Sequence, residues 1–121
     1  MPTPSPAQSL SALPDKYIGT WNGTFVQVIA PAGTYQMTLT LHAGNIRDII
    51  GGATYAIQGC LSTSLTLQGV SDVSVTVWES GTGGCLSGTY TFSLDASGLN
   101  LSAEWVGISG AVGGSATLVK A

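Results

Sequence analysis

Chemistry at neutral pH needs a histidine, a close pair of carboxylates, a nucleophile with its base, or a cluster of metal ligands. This chain is sparing with all of them. His42 is its single histidine, which leaves no basis for a multi-histidine metal site and reads as a solvated residue near a strand end. The acids Asp15, Asp48, Asp72, Glu79, Asp95 and Glu104 are scattered. Asp72 and Asp95 sit in turn contexts, where a side-chain oxygen accepts local backbone N–H groups. Glu79 and Glu104 each adjoin a tryptophan at a strand end or on the outer face, whereas a glycosidase needs both carboxyls on one cleft, about 5 to 9.5 Å apart. Arg47-Asp48 reads as a local surface ion pair, and the glycine pairs carry no phosphate-loop or dinucleotide pattern. No catalytic, metal or cofactor-binding residue is expected, and the chain reads as a non-enzyme.

Cysteines and aromatics are more informative. Cys60 and Cys85 lie in Gln58-Gly59-Cys60-Leu61 and Gly83-Gly84-Cys85-Leu86, with no CxxC spacing. They read as one disulfide, which implies an oxidising compartment and contributes about 3 kcal/mol in the chain-entropy model. The bland alternative is two buried thiols acting as small apolar groups. Trp21, Tyr35, Tyr55, Tyr90 and Trp105 are candidates to line a barrel interior and meet a ligand, with core packing as the competing role. Trp78 falls on the Ser/Thr face, and with Glu79 it forms a candidate rim contact.

The elements that must position these residues follow from composition and period. The chain of 121 residues has the size of one domain, with 44% hydrophobic and only 7% charged residues. Its formal charge is -3, and Lys16, Arg47 and Lys120 are the only Lys and Arg residues. No patch can neutralise several phosphates, so nucleic acid binding is excluded. No run of about 18 apolar residues exists to insert in a membrane.

Residues 1–16 hold four of the five prolines and show no period, so they read as a linker or tail. They lack the basic and apolar regions of a signal peptide, while the cysteines point outside the cytoplasm. An excised ectodomain or mature fragment reconciles the two. Residues 17–121 form a single domain of period-2 segments punctuated by turns about every 10 residues. Eight strands are expected, near 17–29, 34–43, 46–58, 61–69, 72–79, 85–94, 98–106 and 111–120, with a kink or bulge at Gly51-Gly52. Tyr35, Met37, Leu39 and Leu41 share one face, as do Val73, Val75 and Val77, and Leu99, Leu101, Ala103 and Trp105. The expected fold is all-β: an eight-stranded antiparallel up-and-down barrel, closed because so few charges are available to blunt an exposed edge. In that order the third and fifth connections, which carry the cysteines, share a rim.

Gly19-Thr20-Trp21 resembles the Gly-x-Trp signature of calycins, the lipocalin and avidin superfamily, in which the Trp plugs one barrel end under a late basic residue. Lys120 is the residue that matches. A longer series, GTWNGT (19–24), Tyr-x-Met-Thr-Leu-Thr-Leu (35–41), Tyr-x-x-x-Gly-Cys (55–60), Val-x-Val-x-Glu (75–79), Cys85, Leu-x-x-x-Trp (101–105) and Gly-x-Ala-Thr-Leu-x-Lys (114–120), resembles the extracellular C-terminal domain of actinobacterial serine/threonine protein kinases. That resemblance implies an extracellular sensor or binding module. GTW, SGTY (87–90), Ala-Glu-Trp (103–105) and Ala-Thr-Leu-Val-Lys (116–120) also fall in an avidin-like order. The expected function is non-enzymatic recognition of a small molecule, a cell-wall component or a protein on the secreted side of the membrane. The alternatives are an avidin- or lipocalin-like carrier and a structural surface-interaction domain.

Overall fold

The computed structural model describes residues 11–29, 32–57, 60–81, 87–108, 110 and 112–121, with 57, 60 and 61 described as backbone only. A 3₁₀ turn, Asp15–Tyr17, leads into β1 (Gly19–Gln27), β2 (Gly33–Leu41), β3 (Ile49–Ile57) and β4 (Cys60–Val70). β5 (Val75–Ser80), β6 (Gly88–Leu94), β7 (Asn100–Gly107) and β8 (Val112–Lys120) complete the sequence. Each strand pairs antiparallel with its neighbours in chain order, and β1 pairs with β8 from Trp21↔Lys120 to Gln27↔Gly114, which closes the barrel. The expected eight-stranded up-and-down barrel is what forms. Closure leaves no strand edge unpaired, which suits a sheet with so few charges.

Alternation decides what goes inside. Trp21 and Phe25, Met37, Leu39 and Leu41, Leu65 and Leu67, Val75 and Val77, Tyr90 and Phe92, Leu101 and Ala103, and Ala116 and Leu118 are buried in one core. Burial of large apolar side chains at about 25 cal/mol per Å² is the main force holding the sheet round itself. The bulge expected at Gly51-Gly52 lies between Ile49 and Gly51. It turns Ile50 fully inward while Ile49 is 60% exposed. Gly51 has φ 153°, and a Cβ there would lie 1.8 Å from the Thr40 carbonyl oxygen, so no other residue fits.

Two residues expected on the inner face are outside it. Val73 is 75% and Leu99 57% exposed, because the turns before β5 and β7 run longer than the period suggests. Ser71, rather than Asp72, organises the first: its Oγ accepts the N–H of Val73 at 3.3 Å and of Ser74 at 3.1 Å. Asp95 organises the second as expected, accepting from Asn100 Nδ2 and Ser97 Oγ, both at 2.7 Å, and from the Gly98 N–H at 3.1 Å. These donors, Asn100 foremost, lower its carboxyl to about 2. Asp48 binds the Asn45 N–H at 2.8 Å through Oδ2, so its observed partner is a loop amide and not Arg47.

One barrel end is plugged. Leu13 and Tyr17 are buried, the Leu13 N–H donates to Gly44 O at 2.9 Å, and the Ile46 N–H donates to Ser11 O at 2.8 Å. Residues 11–16, read as tail from composition, thus pack against the loop before β3. Trp21 beneath them donates its indole N–H to Tyr17 O at 3.0 Å, and Lys120 Nζ lies 5.4 Å from its ring centroid. Among the described residues no helix is long and apolar enough to cross a membrane. Truncation of Trp21 to Ala should cost about 3–5 kcal/mol in urea unfolding, whereas Val119→Ala on the outer face should stay within about 0.5 kcal/mol.

Candidate functional site

Parity along β5 settles where its carboxylate points. Val75, Val77 and Glu79 are buried in alternation with the half-buried Thr76, Trp78 and Ser80. Glu79, expected at the rim beside Trp78, is instead inside the barrel and 3% exposed. It lies near the end of β5, so it faces the mouth opposite the plug, the rim formed by the ends of β1, β3, β5 and β7. Trp78 stays on the other side of the sheet, and the two residues do not form one contact.

Four strands converge on the Glu79 carboxyl. The Tyr55 hydroxyl on β3 donates to Oε2, and Thr63 Oγ1 on β4 donates to the same oxygen at 2.6 Å. Tyr90 on β6 places its hydroxyl 2.7 Å from that of Tyr55, and its O–H also faces Met37 Sδ at 3.8 Å. With the Tyr55 proton on Glu79, the Tyr90 proton goes to the Tyr55 oxygen, giving a chain Tyr90 to Tyr55 to Glu79. Phe25 closes the side of the group, edge-on to Tyr55 at 6.0 Å and to Tyr90 at 6.2 Å between ring centroids.

Trp105 on β7 completes the site. It is 4% exposed, and its indole N–H has no hydrogen-bond partner. That N–H lies on the side of the Glu79 carboxyl and favours its charged form without reaching hydrogen-bond geometry. An unpaired buried donor costs about 1–3 kcal/mol. Room for the indole comes from glycines: a Cβ at Gly88 would lie 2.5 Å from the ring and one at Gly113 2.4 Å. Gly88 faces Glu79 across the ladder and Gly114 faces Trp105, with a bulge between Trp105 and Val106. The in-strand glycines therefore do more than turn the chain. They hollow out space for one large ring.

Burial pushes the Glu79 carboxyl above its ordinary range, and the hydroxyl donors Thr63 and Tyr55, with the nearby Trp105 N–H dipole, pull it only part of the way back. Burial also raises the Tyr55 and Tyr90 phenols, helped by the nearby acid, so both stay protonated donors. No cation answers the carboxyl. Lys16 and Lys120 lie over Tyr17 and Trp21 at the plug, Arg47 is exposed in the loop before β3 with its backbone N–H donating to Leu67 O at 2.8 Å, and the exposed His42 follows the plugged end of β2.

The remaining candidates divide between the two ends. Trp21 is interior but belongs to the plug, Tyr35 is half-buried against the core, and Tyr55, Tyr90 and Trp105 are brought together. Glu104 is exposed on the outer face, so it shares no cleft with Glu79. Among the described residues no three potential metal ligands cluster. The expected Cys60–Cys85 disulfide falls outside the described residues, and none is seen among those described. Cys60 begins β4, and Cys85 follows β5 in sequence, so the strand ends flanking both meet at the Glu79 rim. Comparison of the chain with protein-family models, with curated proteins and with solved structures finds no match.

Two outcomes test this geometry. Gly113→Ala should displace the Trp105 ring, cost about 1–3 kcal/mol in chemical denaturation and change the near-ultraviolet circular dichroism. Because the folded protein binds the Glu79 proton more tightly than the unfolded chain, that contribution is full below the ordinary glutamate value of about 4.3 and is lost as pH rises through the raised value. The melting temperature of Glu79→Gln should accordingly fall less than that of the native protein between about pH 4 and pH 7.

Proposed function

We propose that this domain is a non-enzymatic binding module whose ligand enters the barrel at the end opposite the plug and meets Trp105, Glu79, Tyr55 and Tyr90. The observation that carries the reading is the buried Trp105 N–H without a partner, beside a buried carboxyl without a counter-charge. Both are costs to the free protein that a ligand of the right chemistry removes. Tyr55 and Thr63 are half-buried, so the hydroxyl side of the cluster is its more accessible part. A catalytic reading lacks a second acid or a histidine at the site: Glu104 faces outward and His42 sits at the other end.

An extracellular sensor placement is part of the same proposal. It draws on the two cysteines of the sequence read as a disulfide, the low charge and the resemblance to kinase ectodomains. Lys120 over Trp21 supports a second reading, a calycin-like carrier of one small ligand, in which the plug seals the end opposite the site. The two readings share the mouth and differ in whether the domain signals or carries.

Indole N–H resonances separate ligand binding from both. Titration with a library of small polar aromatics should shift the Trp105 signal while leaving that of Trp21, already bonded to Tyr17 O, in place. Native mass spectrometry of protein from its own host should show a retained small molecule that Trp105→Phe releases. A library in which no member moves Trp105, together with ligand-free native protein, would contradict the proposal.

A further inference from the structure

The geometry points to a small organic ammonium ion as the ligand of this mouth, its charge against the Glu79 carboxylate and an oxygen of the same molecule accepting the Trp105 N–H. The inference rests on the reading of the mouth as a ligand site and adds the chemical class. Its first support is a missing charge. Glu79 is buried among apolar and aromatic side chains, and every Lys, Arg and His of the chain belongs to the opposite rim. An ionised carboxylate there has donors, Tyr55 and Thr63, but no cation. A ligand that brings one supplies what the fold omits, since a charge-assisted bond is about twice as strong as a neutral one.

The second support is the shape of the surroundings. Phe25, Tyr55, Tyr90 and Trp105 come from four different strands, with Phe25 edge-on to both tyrosines, so the organic part of a ligand reaching the acid would meet aromatic side chains. Among the described residues the hydrogen bonds to Glu79 from Tyr55 and Thr63 both fall on Oε2, which makes Oε1 the candidate acceptor for an incoming N–H. The third is the indole donor, which an ammonium group cannot satisfy and an oxygen can. A molecule bearing both an amine and a hydroxyl or carbonyl answers the two deficits at once. An anion, by contrast, would meet the carboxyl as a like charge.

Proton balance gives the class a signature. Burial raises the Glu79 carboxyl in the free protein, and the groups near it, Tyr55 of β3, Thr63 of β4, Tyr90 of β6 and Trp105 of β7, remain protonated donors. Docking of a cation favours the ionised form, so the carboxyl proton leaves to solvent as the ammonium arrives. Affinity for an amine therefore rises with pH through the Glu79 titration, and affinity for a neutral analogue does not.

Three probes of similar size decide it on the full chain: 2-amino-1-phenylethanol, 1-phenylethanol and phenylacetate, followed by Trp105 indole shifts and calorimetry. The amine should bind about tenfold or more tightly than the alcohol, and phenylacetate should not bind. Calorimetry in two buffers of different ionisation heat should show proton release with the amine, and none with the alcohol, at pH values below the Glu79 midpoint. In Glu79→Gln, which keeps the acceptor for Tyr55 and Thr63, the preference of amine over alcohol should vanish, while Trp105→Phe weakens both alike. Equal affinity of amine and alcohol in the native protein overturns the ammonium and leaves the mouth a ligand site. Tighter binding of phenylacetate, or no response to the amine, overturns it as well. The native protein's own preference decides the matter even if a variant fails to fold.

Discussion

Closure of the β1–β8 ladder is the constraint on which the rest of this molecule depends. A sheet with two edges could absorb an extra side chain by sliding a strand. A closed ring of eight strands has a fixed interior, so every inward residue must be paid in volume by its neighbours. The indole of Trp105 fits only because Gly88 and Gly113 present no side chain to it. Phe25 likewise fills the space before Gly114, where a Cβ would lie 2.3 Å from its ring. Large rings and bare backbone are placed against each other around the circumference.

The same constraint divides the barrel along its axis. At one end the chain folds back over Trp21, and Tyr17 and Leu13 seal the core beneath Lys120. At the other, the interior turns polar within one or two residues of the apolar layer: Val77 gives way to Glu79 on β5, and Ala53 to Tyr55 on β3. Hydroxyls from Tyr55 and Thr63 make burial of that carboxyl tolerable, yet desolvation still holds it above its ordinary range. A fold needing only stability would place a leucine at 79. The polar group there, next to an indole donor without a partner, is what the proposed ligand site rests on.

Much of this architecture was legible in the sequence, since a period of two needs no tertiary information to be seen. Strand number, order, the apolar face and the bulge at Gly51 all follow from it. Strand beginnings were less legible because a side chain can hold a turn open: Ser71 and Asp95 keep Val73 and Leu99 out of the ladder although both match the pattern. Residues 11–16 look like linker by composition, and only their pairing with residues 44–46 makes them part of the plug. Tyr55, Tyr90 and Trp105 were recognisable as interior candidates. Glu79 was misplaced because its charge argued for the rim, although its parity with Val75 and Val77 was the signal to follow. The glycines around Trp105 gave no local sign, since the clash they avoid is between strands.

Everything said of the mouth reduces to the state of one carboxyl, and that state is directly measurable. Carbon-13 detection of the Glu79 side chain through a pH titration should give a midpoint clearly above the ordinary glutamate value of about 4.3, with the Tyr55 hydroxyl responding at the same midpoint. A midpoint at or below that value, with Tyr55 unaffected, would place the carboxyl in water and contradict the account.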